Sequence, residues 1–259
     1  MNNNGWAQKL RQKGLIILVV SMALVCWEWA AEEKLIKTFY ASQPTVILVD
    51  FYNFVVSGEI FLHLRITLQE ALMGLFFGTV AGIACGVILG RIRWLADIFE
   101  PIITALYGIP KLALAPIFIL WFGLGIESKI FLSALLVFYL VFFSTFEGIR
   151  SIDANIVAAV RIMGANRWQI FTKVSLPSCI PWVLTGIRGG IGASLLGAIV
   201  GEYMGASAGL GWMVQYATAT YQIERVMSCI LTLLLIGLVL NKGLRLCENR
   251  LLRWRPDDY

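Results

Sequence analysis

Lys111, Arg188, Glu202 and Glu70 fall inside or at the ends of long apolar stretches, where ionisable groups are rare. An uncompensated charge in hydrocarbon costs about 3 kcal/mol on insertion scales, so each must face the interior of a bundle, pair with an opposite charge, or line a wet path for a charged solute. Lys111 is the most exposed to this argument. It follows Pro110 and precedes Pro116 in FEPIITALYGIPKLALAPIFILWFGLG, and each proline removes a backbone donor and crowds the preceding turn. A bent or broken helix is predicted there, and such breaks persist at membrane depth only inside protein or beside water. Two readings of Lys111 stand: a cation on a solute path, or a side chain that snorkels to a headgroup. For Arg188 (GIRGGIG) and Glu202 (VGEYMG) the alternatives are a structural pairing inside the bundle and direct contact with a ligand, with Glu202 expected to pair with a basic residue near the outer face. Covalent and metal chemistry have little to work with. His63 is the single histidine and is read as marking an interface, and Cys26, Cys85, Cys179, Cys229 and Cys247 are scattered without a CxxC spacing.

The elements that must position these residues follow from composition. Hydrophobic residues make up 59% of the 259 and charged residues 14%, with mean hydropathy +0.78. That is the make-up of a chain solvated by lipid. Apolar stretches near 15–31, 62–90, 98–124, 127–146, 178–202 and 226–244 approach or exceed the 20 or so residues that a helix needs to cross a bilayer. They lack the alternation of barrel strands. The reading is an all-α polytopic membrane protein with six transmembrane helices. Both termini are placed in the cytoplasm because 14 of the 21 Lys and Arg residues then lie inside: Lys9, Arg11, Lys13, Arg91, Arg93, Arg150, Arg161, Arg167, Lys173, Lys242, Arg245, Arg250, Arg253 and Arg255. The net charge of +5 is thereby topological and does not indicate nucleic acid. Residues 1–40 read as a cytoplasmic end and a retained anchor, and 41–259 as the core. An interfacial helix is expected around QPTVILVDFYNFVVSGE. Gly74, Gly78, Gly82, Gly86 and Gly90 recur every four residues and give span two a flat face for close packing.

The inside loop 150–177 has its own helical pattern. Asp153 is placed to cap a helix from Ala154, with Ile156, Val160 and Met163 on one face. Gly164 turns the chain, and a second short helix from Asn166 carries Trp168 and Phe171 until Pro177 stops it. These helices are too short to span and too apolar for water, so they rest on the membrane surface or on a second protein. A GxxxxGK[ST] phosphate loop does not occur in the sequence, so the chain is not expected to bind ATP.

The loop resembles that of permease subunits of binding-protein-dependent ABC importers. Their pattern runs Glu-Ala-Ala, three residues, Gly, nine residues, Ile, any residue, Leu-Pro. Here Ala158, Ala159 and Val160 are followed by Arg161, Ile162 and Met163, then Gly164; Ala165 opens the nine-residue interval that contains Arg167, Trp168 and Phe171; and Val174, Ser175, Leu176 and Pro177 close it. The departures are Ala158 for Glu, Val160 for Ala and Val174 for Ile. GIPKLALAPIFILWFGLGIESKIFL, FFSTFEGIRSID and VGEYMGASAGLGWMV are similar to the branch importing nitrate, sulfonates and taurine, with relatives importing pyrimidine thiamine precursors. The likeness runs from about residue 45 to 250, with Gln69 and Glu70 standing where that branch commonly has an arginine.

The resemblance implies a type I permease fold in a bacterial inner membrane. It further implies pairing with a second permease copy, two ATPase subunits docked on the loop, and an external binding protein that delivers a small-molecule substrate. ATP and Mg2+ would belong to the ATPases and no cofactor to this chain. Pro110, Lys111, Arg188 and Glu202 become the residues expected along the substrate path. An ion-coupled secondary transporter would instead show inverted hydropathy repeats, which the sequence lacks. A membrane-embedded enzyme would need a nucleophile or metal cluster.

Overall fold

The computed structural model describes residues 3–35 and 41–252; Lys37, Arg253 and Arg255 lie outside the described residues. Every regular element among the described residues is helical. We number them α1 (Asn3–Glu32), α2 (Pro44–Val56), α3 (Glu59–Arg91), α4 (Arg93–Tyr107), α5 (Ala115–Phe122), α6 (Ile126–Arg150), α7 (Ala154–Ile162), α8 (Arg167–Ile170), α9 (Leu176–Gly205), α10 (Leu210–Ala219) and α11 (Ile223–Leu251). Among the described residues, five stretches are long and apolar enough to cross a membrane. A sixth results if α4 and the segment Lys111–Phe122, bent by 82° at the break between them, count as one span. The break falls where Pro110 removes a donor, as the sequence predicts, and a short 3-10 turn at Lys111–Leu114 leads into α5.

The chain divides into two compact units, one from residues 1–61 and 213–232, the other from 62–212 and 233–259. In the first, α2 begins at a proline and has no side-chain cap of its own. Glu28 of α1 supplies the acceptor instead, taking hydrogen bonds from Thr45 N (3.1 Å) and Thr45 Oγ1 (2.6 Å). A carboxylate at a helix start satisfies orphan donors and the helix dipole together. The Arg225 guanidinium grips Asp50 with Nε and Nη2, donates Nη1 to Glu59 at 2.9 Å, and lies 4.4 Å from the Phe54 ring centre. Asp50, which interrupts an otherwise apolar segment, is thereby neutralised by a planar fork that suits a carboxylate.

The second unit is organised around α6. The glycine stripe of α3 lies along it, and a Cβ added to Gly82 would stand 2.9 Å from Val141 Cβ and 3.0 Å from Phe138 O. A second glycine face, not anticipated from the sequence, comes from α9. Cβ atoms on Gly186 and Gly197 would meet Val141 Cα at 2.9 Å and Ser133 Cα at 2.6 Å. Gly74 and Gly197 both press on Ser133, Gly78 and Gly190 on Val137, and Gly82 and Gly186 on Val141. Successive turns of α6 are therefore held between two helices whose backbones approach closely because neither has a side chain at the contact. In lipid, where apolar burial supplies no drive for helix association, such van der Waals packing is the main source of cohesion.

Candidate functional site

The inner hairpin is built by three local signals. Asp153 accepts from Asn155 N at 2.8 Å and starts α7. Gly164, at φ +87°, ends it: Gly164 N reaches Arg161 O at 3.0 Å and Ala165 N reaches Val160 O at 3.2 Å. These two bonds form a Schellman cap, which requires the left-handed residue. Asn166 and Gln169 then form a capping box, Asn166 Oδ1 accepting from Gln169 N and Gln169 Oε1 from Asn166 N.

Pro177 does not stop the second helix, which corrects the sequence expectation. The backbone widens into a π-helical turn at Phe171–Ser175 and continues unbroken as α9. A π turn shifts the hydrogen bonding by one residue, so the missing proline N–H and its clash with the preceding turn are absorbed where the helix is already irregular. The hairpin is thus mechanically continuous with a membrane helix through Leu176 and Pro177. Its outer side is apolar and bare: Ile162 is 87%, Met163 84% and Trp168 66% exposed, Ala158 and Ala159 are also exposed, and Val160 and Ala165 are half-buried.

The four residues expected along a substrate path do not share one contact. Lys111 donates to Tyr107 O and Ile109 O, and its ammonium lies 4.0 and 4.7 Å from the ring centres of Tyr107 and Tyr139. It caps the carbonyls left open at the end of α4, next to Pro110, while staying half-buried. Arg188 is bound to Glu248 of α11, with 56% of its own side chain exposed and 11% of its partner's.

Glu202 is fully buried, and both of its oxygens are engaged within the bundle. Oε1 accepts from Thr67 Oγ1 and Oε2 from Gly211 N, each at 2.6 Å. Thr67 Oγ1 in turn accepts from Leu210 N at 2.8 Å, and His63 Nδ1 accepts from Gly209 N at 3.0 Å while its ring stacks on Trp212. Three consecutive N–H groups at the start of α10 are therefore satisfied by side chains of α3 and α9. Lys129 of α6 lies against Gly201, the residue before Glu202, where an added Cβ would stand 2.8 Å from Lys129 Cγ. Lys129 is buried and donates to Leu124 O, Gly125 O (2.9 Å) and Gly205 O (2.6 Å), using all three ammonium protons. His63 is buried and belongs to this network. No sequence signal revealed the network, since its bonds join residues as far as 146 positions apart.

Residues 78–253 match the family model described as binding-protein-dependent transport system inner membrane component. The chain belongs to that family. This permease is 34% identical over 251 residues to the putative aliphatic sulfonates transport permease protein SsuC of Bacillus subtilis (strain 168), spanning 97% of this chain and 88% of that one. It is 32% identical over 237 residues to the riboflavin transport system permease protein RibX of Chloroflexus aurantiacus, spanning 92% and 88%. Among solved structures, the inward-facing MetNI methionine ABC transporter superposes with a TM-score of 0.61 at 23% identity, covering 74% of the permease and 93% of that chain. The type I importer permease fold and a multi-pass membrane subunit follow, and the family is one of transport subunits, not of enzymes.

Proposed function

We propose that the permease is one of two copies forming the path of an ATP-driven importer, that ATPase subunits dock on residues 154–175, and that an external binding protein delivers a small anion of the aliphatic sulfonate or taurine type. The observation that carries the docking is the hairpin: two capped helices present bare Ile162, Met163 and Trp168 away from the bundle and continue into α9 without a joint. A partner that moves the hairpin moves a membrane helix, which is what a two-state transporter driven from one side requires. ATP and Mg2+ belong to the partner, as does hydrolysis, and the chain itself holds no cofactor.

The anionic cargo is supported by the sulfonate relative and by the cation of Lys111 beside the Pro110 break. The riboflavin relative favours a second reading, a neutral or aromatic nutrient. Transport by vesicles containing the complete importer separates them. Lys111→Met is expected to lower uptake of a radiolabelled alkyl sulfonate by about tenfold, the value of one charge-assisted contact. ATPase activity without substrate should be unchanged. Unaltered sulfonate uptake in this variant, or competition by riboflavin and not by sulfonates, would remove the anionic reading.

A further inference from the structure

Three arginines from different elements line one cleft at the hairpin: Arg91 at the end of α3, Arg161 on α7 and Arg167 on α8. Its floor is apolar, from Ile149, Ile170 and Phe171, with Ser175 at the edge. No acidic side chain lines it, and among the described residues none of the three guanidiniums has a carboxylate partner, the ion pairs there being made by Arg150, Arg188 and Arg225. Arg91 is held with its guanidinium 4.5 Å from the Phe171 ring centre, so its charge is fixed in position but not neutralised.

Three like charges converging on one cleft repel one another until an anion joins them. The guanidinium fork matches the oxygens of a phosphate. Arg91 and Arg150 end α3 and α6, on the side that the bias of basic residues assigns to the inner face of the membrane, where basic pockets meet phosphate headgroups. We infer that this cleft is a phosphate-binding site at the root of the inner hairpin, occupied either by the headgroup of an anionic phospholipid or by free inorganic phosphate. The occupant bridges α3 to α7 and α8 and sets how readily the hairpin moves against the bundle. Arg161 and Arg167 also lie within the stretch on which the ATPase is proposed to dock, so the site is tested on the permease without its ATPase.

The test uses the full-length chain. It is reconstituted in nanodiscs of phosphatidylcholine with phosphatidylglycerol, extracted mildly, and its retained lipid is counted by native mass spectrometry; in phosphatidylcholine alone, thermal unfolding is compared in phosphate and in chloride at equal ionic strength. Wild type is expected to retain phosphatidylglycerol at least about tenfold more than the Arg91→Gln, Arg161→Gln, Arg167→Gln triple variant. A Lys242→Gln, Arg245→Gln control on α11 should retain it like wild type. A phosphate-specific rise in unfolding temperature in wild type, absent in the triple variant and without selective lipid retention, assigns the site to free phosphate. Equal lipid retention in wild type and triple variant together with no phosphate effect overturns the inference, as does equal loss in the Lys242 and Arg245 control. Arg161→Gln, on the exposed hairpin, serves as a second variant should the triple substitution not fold. It is expected to reduce whichever effect wild type shows by at least about threefold, and an unchanged effect overturns the site.

Discussion

Gly82→Leu is expected to leave little monodisperse permease after detergent extraction. The added Cβ would meet Val141 Cβ at 2.9 Å and backbone atoms of Phe138 and Phe142 at 3.0 Å. Backbone on a packed helix cannot swing aside as a side-chain tip can, so α3 must lift from α6 over several turns. Overpacking of this kind costs about 3 kcal/mol, a large share of the 5–15 kcal/mol or so that holds a typical domain together. Gly197→Leu should behave alike, since its Cβ would meet Ser133 Cα at 2.6 Å from the opposite side of the same helix. Gly192→Ala is the control, because nothing lies within 4 Å of the added atom and alanine raises helix propensity by about 1 kcal/mol. The readout is fluorescence-detected size exclusion with a thermal ramp. Stability of Gly82→Leu equal to that of the control would mean that α3 does not pack on α6 through this face.

Gly164→Val should have the opposite profile, a folded membrane protein that no longer transports. Nothing lies within 4 Å of a Cβ at Gly164, so no clash is created. The effect comes from φ +87°, which a β-branched residue reaches only at a cost of about 1–2 kcal/mol. The Schellman cap opens and the angle between α7 and α8 is lost. In the assembled importer, uptake is expected to fall by at least about tenfold, the factor corresponding to 1.4 kcal/mol, while insertion and monodispersity stay as in wild type. Gly164→Asn, which tolerates the left-handed region, should keep most of the activity. Equal transport by the valine and asparagine variants would show that the turn's conformation has no part in coupling.

What could be read from the sequence was what is encoded within a few residues. The four-residue glycine interval of α3, the break at Pro110, the cap at Asp153, the turn at Gly164 and the helix start near Asn166 all depend on neighbours within one or two turns, and each is found where local chemistry puts it. The glycine face of α9 was harder to see, because Ser194 and a three-residue step between Ser194 and Gly197 interrupt its interval and Arg188 draws the eye as a charge. Pro177 misled because a π turn can absorb a proline that an α turn cannot. The clamp of Glu202, Thr67 and His63 on the start of α10, the carbonyl cage around Lys129 and the Arg225 fork join positions far apart in the chain. A charge seen without its partner reads equally well as a ligand for substrate or as a structural pin. Glu202 accepts from Thr67 and Gly211, Lys111 caps a broken helix while remaining half-open, and Arg188 has a partner in Glu248.

The central claim is that the hairpin is the handle on which an ATPase pulls, and a photo-crosslinking amino acid at position 163 of the assembled importer tests it most directly. Met163 is 84% exposed at the turn, so the probe reports what covers that surface. The account predicts a crosslink to the ATPase subunit whose yield changes with nucleotide, and little labelling of lipid. Labelling of lipid with no ATPase adduct in any nucleotide state would contradict it.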